Sequence, residues 1–392
     1  MLLVLAALVA ELPLLWPPPF RLTDHLLLWQ VGRFVVTGVS PYRADVWVDA
    51  AKRLDSPHIA ELATTGVIWP YPPWTALLFV PFGAFPMEIG TWALHLAYLG
   101  SGLLAAILLA RELPWPRPGL AAIAVALFAV FEPFVIAARW GQFGGFLLLG
   151  IALLLIGLRS RRLAPLIAGA LLLATKPHLT ALFALVAAAW LIRQRRRRDL
   201  AVTALALSVL VAVTWVAFPD WLAVAGTGAG DRLSVVALFA TTWSFAIALA
   251  GPAWPLLAAV LVSVVSASGA YAARAAPVAL RPFAVFAGTG VLTLGLTPYA
   301  LVYDHLLLAP VLLYGVFALD AASGTARAAH AVLLAVAGIA LPWLLYLVVI
   351  LRPDQAPAGA IPSLLVVLLL SSAWLLRDAR DRSPQADKSH VA

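Results

Sequence analysis

An all-α integral membrane protein with about a dozen transmembrane helices is the fold class this sequence predicts. Three observations carry it. Of 392 residues, 63% are apolar and only 11% charged, whereas soluble domains hold roughly twice that share of charge. The apolar residues run in stretches close to the ~20 that a bilayer core requires. The basic residues fall in short clusters between those stretches, as in cytoplasmic loops. That clustering also argues against reading the net charge of +8 as a nucleic-acid surface. With no Cys in the chain, disulfides, thiolate metal sites and Cys nucleophiles are excluded. His or carboxylate ligands remain open.

The first apolar stretch, 2–16, lacks a cationic start and a small-residue cleavage site, so it predicts a retained helix and not a signal peptide. Further helices are predicted over 88–110, 119–138, 143–158, 163–175, 178–192, 200–217, 254–273, 282–298, 305–319, 329–350 and 360–376. The stretch 74–85 is apolar but short, and Pro73 and Pro86 bound it. It predicts a juxtamembrane or re-entrant helix.

Placing the amino terminus inside puts 17 of the 26 Lys and Arg in cytoplasmic loops or the tail, as the positive-inside rule requires. Both termini are then cytoplasmic, and two long loops, 17–87 and 218–253, lie outside. Residues 1–376 form one multi-span domain, and 377–392 a polar, disordered tail. The cluster Arg193 to Arg198 reads as a topology anchor that also meets anionic lipid.

Charges near membrane depth are costly, so each is a functional candidate. Asp24 sits just past the first stretch, where a partly desolvated carboxylate gains the basicity to take a proton from a hydroxyl. The same position permits a helix cap, and the two roles can coexist. The first loop continues through Trp29, Gly38, Pro41 and Tyr42 and closes on Trp69-Pro70-Tyr71-Pro72-Pro73-Trp74, a pattern that anchors at the headgroup level and starts a helix. Arg139, Trp140, Gly141 and Gln142 form a second cluster. Lys176, beside His178 in a tight turn, either snorkels to the interface or binds a phosphate. Asp304 and His305 follow Tyr299 and Tyr303 at a helix mouth, where a simple helix-start pair is the alternative. There is no nucleotide-binding glycine loop and no His-Glu-x-x-His zinc spacing.

Together these residues resemble the GT-C glycosyltransferases. The resemblance rests on the early Asp24, the Gly-x-x-Pro-Tyr element ending at Tyr42, the Tyr-Pro-Pro opening at Tyr71, the Trp-Gly-Gln ending at Gln142, Lys176-Pro177 and the 297–305 stretch. Their order and placement are most similar to glycosyltransferase family 87, represented by polyprenol-phosphate-mannose-dependent mannosyltransferases. The resemblance implies a GT-C-like bundle with extracytoplasmic loop helices, in the plasma membrane, taking part in cell-envelope synthesis. It implies sugar transfer, mannosyl above all, from a polyprenyl phosphate to a lipid or glycan acceptor at the outer face. Asp24 would act as general base in an inverting reaction. Lys176, His178, His305 and Arg139 would hold the donor phosphate, and Trp29, Tyr42, Tyr71, Gln142 and Asp304 would line the acceptor and sugar. One departure is plain: relatives often carry paired His where this chain has Asp304-His305. No cofactor is implied, and the lack of an acidic pair around Asp24 argues against a metal.

A transporter or flippase of lipid-linked sugars is the alternative, and it predicts functional charges buried within the spans. A scaffold in envelope assembly would have no need of Asp24 at its position.

Overall fold

The computed structural model describes residues 16, 19–64, 69–115, 117–221, 240–297, 299–351 and 357–382, and among them there are helices and no strands. The expected first helix, 2–16, lies almost wholly outside the described residues, as do 222–239 of the second long loop and 383–392 of the tail.

The first loop folds into three helices, α1 (Asp24–Val36), α2 (Ala44–Leu54) and α3 (Pro57–Thr64). The stretch 74–85 forms two short helices instead of one, α4 (Pro73–Leu77) and α5 (Val80–Gly83). Neither can span a bilayer. α5 is drawn against α1 so closely that a Cβ on Gly32 would lie 2.1 Å from the Phe79 carbonyl oxygen; only glycine fits there.

Next come α6 (Met87–Arg111), α7 (Pro118–Ala129) and α8 (Glu132–Trp140). α7 and α8 meet at 48°, where one span was expected over 119–138. Pro133 has no N–H to donate back into the preceding turn. The Phe134 N–H turns to the Phe131 carbonyl, and the Val130 carbonyl accepts from the Trp343 indole N–H at 3.0 Å. α9 (Gly144–Ser160), α10 (Leu163–Leu173), α11 (Pro177–Arg193) and α12 (Arg197–Ala217) follow, near their expected bounds. At α9's end, Arg196 donates to the Leu158 and Gly157 carbonyls at 2.8 and 3.2 Å, capping orphan acceptors of the last turn.

α13 (Thr242–Ala250) arises within the expected second loop. Thr241 and Ser244 exchange backbone and side-chain hydrogen bonds at its start, a reciprocal cap that starts a helix wherever apolar residues follow. The chain then forms α14 (Trp254–Ala275), α15 (Arg281–Leu296), a 3₁₀ segment (Val302–Leu308), α16 (Ala309–Ala321), α17 (Gly324–Ala335), α18 (Leu341–Leu351) and α19 (Ile361–Arg382). A π-helical turn over Val336–Ala340 joins α17 to α18, just before Pro342, which cannot continue a regular α ladder.

Six described helices are long and apolar enough to cross a membrane, or seven if the bent pair counts as one span. Four more, α9, α10, α11 and α15, are apolar but shorter. Along α12, and along the continuous helix 242–275, only 11% of the apolar window is buried by protein. Leu205, Val216, Leu256 and Leu351 lie bare on the outside. Apolar surface on this scale is stable only in lipid, so the protein is a membrane protein.

Candidate active site

Asp24 is the first residue of α1, and Thr23 occupies the cap position without bonding the helix N–H groups. Cap and carboxylate are therefore separate. His58 Nε2 donates to one Asp24 oxygen at 2.6 Å, and the Gln142 amide donates to the other. His58 comes from the start of α3, which Ser56 fastens beside α1: its hydroxyl donates to the Arg21 carbonyl at 2.7 Å and accepts from the Ile59 N–H. The hydrogen bond to Asp24 raises the His58 ring above its ordinary value against the opposing effect of burial.

Gln142 reaches Asp24 because of how α8 ends. The Gln142 N–H bonds the Ala137 carbonyl and the Gly141 N–H the Ala138 carbonyl, with Gly141 left-handed at φ 80°. This helix stop favours glycine. The same glycine lies against His25, which is fully buried. His25 shares hydrogen bonds with Thr23 at 3.0 Å and with His95 at 3.1 Å. Burial, with His95 beside it, pushes the His25 ring down to about 3, so it is neutral and ties the start of α1 to α6 through His95.

The second half of the site is the turn between α10 and α11. The Trp74 indole donates to the Ala174 carbonyl at 2.7 Å and the Thr75 hydroxyl to the Thr175 carbonyl at 2.8 Å. The Tyr-Pro-Pro-Trp end of the first loop is thereby sewn to the turn carrying Lys176. The Lys176 ammonium is buried, 2.5 Å from Asp304 Oδ1, and lies 5.3 and 5.6 Å from the Tyr303 and Phe143 ring centroids. Asp304 Oδ2 accepts from the Leu301 N–H at 3.0 Å. A lysine enclosed by a carboxylate and two rings is not snorkelling to lipid.

The two halves meet through Phe143, the residue after Gln142. Its ring contacts Tyr71 at 5.1 Å as well as Lys176, and Asp24 and Tyr71 both lie within electrostatic range of Lys176. Exposure differs between the two halves. Asp24 and His58 side chains are 24% and 27% exposed, Lys176 and Asp304 7% and 5%.

Other expected residues stand at its edge or away from it. Tyr42 donates to the Tyr71 carbonyl at 2.7 Å and so braces Tyr71. Arg139 is half-buried one turn before Gln142. Trp29 binds the Phe85 carbonyl at 3.1 Å, locking α1 to the α5–α6 junction. His178 is exposed, unlike the buried Lys176. His305 is fully buried, with Nε2 2.7 Å from the Ala240 carbonyl, and fastens that backbone. His58, Phe143 and Thr75 escaped the sequence reading. Among the described residues no three His, Asp or Glu gather as a metal site would need.

A sequence model for glycosyltransferase family 87 matches residues 69–298, more than half of the chain. The chain belongs to glycosyltransferase family 87. Neither a curated protein nor a solved structure matches it. As a family 87 member the chain is a glycosyltransferase, which implies a sugar donor and an acceptor. The matched region opens at Trp69 and takes in Tyr71, Gln142 and Lys176. Asp24, His58 and Asp304 lie outside it and join the site only through the fold.

Proposed function

We propose that this protein transfers a hexosyl group, mannosyl by resemblance, from a polyprenyl phosphate to a hydroxyl of a lipid or glycan acceptor. The observation that carries this reading is the partly open Asp24 carboxylate, gripped on both oxygens, beside a buried cation in the same centre. Asp24 takes the proton of the acceptor hydroxyl. The acceptor oxygen attacks the anomeric carbon, the bond from that carbon to the phosphate oxygen breaks, and the configuration inverts. The departing phosphate carries the bonding pair, and Lys176, with Arg139 near the rim, balances its charge. Asp304 already neutralises Lys176, so in this proposal the phosphate shares the ammonium with it. Gln142 holds the base, and Tyr71 lines the space for sugar and acceptor.

The reaction belongs to the outer face of the plasma membrane, with both termini cytoplasmic. The bias of Lys and Arg toward the opposite loops supports this. Residues 1–376 act as one membrane domain, with the short apolar helices and the amino-terminal stretch bringing the spans to about twelve. Family membership favours this reading over a carrier of lipid-linked sugars. Purified protein offered a panel of labelled polyprenyl-phosphate sugars, with soluble nucleotide sugars alongside, tests it. Turnover of a lipid-phosphate sugar is the expected result, and turnover of nucleotide sugars alone would overturn it.

A further inference from the structure

At the far end of the bundle from Asp24, the ends of three helices enclose a groove of about 800 Å³. Arg193 closes α11, Arg274 stands in the last turn of α14, and Arg281 opens α15. Val186, Trp190 and Val285 supply its apolar wall. α11 has 17 residues, so at 1.5 Å per residue Arg193 lies about 25 Å from Lys176. The groove is therefore at the opposite membrane face and is separate from the transfer site.

Several other loop cations are neutralised by carboxylates. Arg117 and Arg327 pair with Asp320, Arg159 with Glu112, and Arg196 with Asp199. Among the described residues none of the groove's three side chains has a carboxylate or carbonyl partner, and all three are exposed. Three unneutralised guanidiniums around one opening repel one another, and a multiply charged anion relieves that repulsion. Planar guanidinium forks match phosphate oxygens. The apolar wall below them has no use for a soluble anion, but it suits acyl chains. We infer that this groove binds a membrane phospholipid whose headgroup carries two phosphates, of the cardiolipin type, with its chains along α11 and α15.

Native mass spectrometry of the full-length protein in mild detergent, offered cardiolipin and phosphatidylcholine together, tests the assignment. Wild type should retain cardiolipin. Each single change, Arg193→Gln, Arg274→Gln or Arg281→Gln, should weaken retention about fivefold, the value of one cation near an anionic headgroup. A control, Arg195→Gln with Arg197→Gln and Arg198→Gln, removes three times the charge of any single variant, all of it outside the groove, and should retain lipid as wild type does. Equal loss in the control, or full retention in all three single variants, would overturn the site. Inorganic pyrophosphate offered alone should not bind; tight binding lost in the same variants would make it a soluble-anion site and overturn the lipid. Thermal unfolding of each variant without added lipid confirms that loss of retention is not loss of fold.

Discussion

A side-chain carbon at Gly141 would sit 2.5 Å from the backbone nitrogen of His25, so the end of α8 and the start of α1 touch with no room between them. Gln142 is held on Asp24 by that contact. Gly141→Ala must both adopt a left-handed φ of 80° and push the two segments apart. The conformation alone costs about 1 kcal/mol, and the displacement moves Gln142. Sugar transfer should fall at least as far in Gly141→Ala as in Gln142→Ala, with a lower Tm. Wild-type turnover in Gly141→Ala would show that the contact does not position the base.

The Lys176–Asp304 pair is buried on both sides, so removing one partner strands a charge. Lys176→Ala should destabilise the protein by about 3–5 kcal/mol. Asp304→Leu combined with Lys176→Met should recover most of that stability in thermal unfolding, because a buried pair replaced by apolar side chains is often neutral. Donor turnover should stay absent in the double variant. Full turnover there would remove Lys176 from phosphate binding.

The proposed orientation can be read by labelling, since the chain has no Cys of its own. Lys52 and Arg197 are both exposed and stand at opposite ends of the bundle. Lys52→Cys should react with an impermeant reagent in intact cells, and Arg197→Cys only after permeabilisation. The reverse pattern would invert the topology.

His58 sets a pH dependence with a definite sign. Its ring is raised above 6.5 by Asp24. The stabilisation from their ion pair is thus fully present below about 6.5 and is lost as pH rises through the raised folded value. Catalysis runs the other way, because a protonated His58 neutralises the base. The rate should climb as His58 loses its proton. In His58→Gln that limb of the pH–rate profile should vanish or move to lower pH; an unchanged limb would exclude His58 from tuning Asp24.

The spans were legible because bilayer thickness imposes a length on each: 88–110 was expected where α6 runs Met87–Arg111, and 200–217 where α12 runs Arg197–Ala217. Local backbone chemistry was harder to read. Glu132-Pro133 breaks a stretch whose hydropathy is continuous, and Leu78-Phe79 divides 74–85 into two turns. At the site, Asp24, Gln142 and Lys176 stood out as polar groups at the ends of apolar runs. His58 did not, because it reaches Asp24 by a fold-back of the loop that no spacing announces. His178 stands two residues from Lys176, and residues two apart do not share a face, so it is exposed where Lys176 is enclosed. His305 is likewise adjacent to Asp304 in sequence, yet its ring bonds Ala240.

The central claim is that Asp24 is the base, and Asp24→Asn tests it most directly. Asn is nearly the same size, still accepts from Gln142 and can still meet the His58 ring, so packing survives. Asp24 does not cap the helix, since it lies inside α1 and its oxygens are taken by His58 and Gln142. At a pH above the raised His58 value, where no ion pair remains to be lost, basicity alone is removed, and general-base catalysis is typically worth 10²–10⁴-fold. In purified protein with a labelled lipid-phosphate sugar, Asp24→Asn should lose about that much turnover while keeping its Tm and its donor binding. Turnover within about threefold of wild type, far less than general-base catalysis contributes, in a variant of normal Tm would contradict the account.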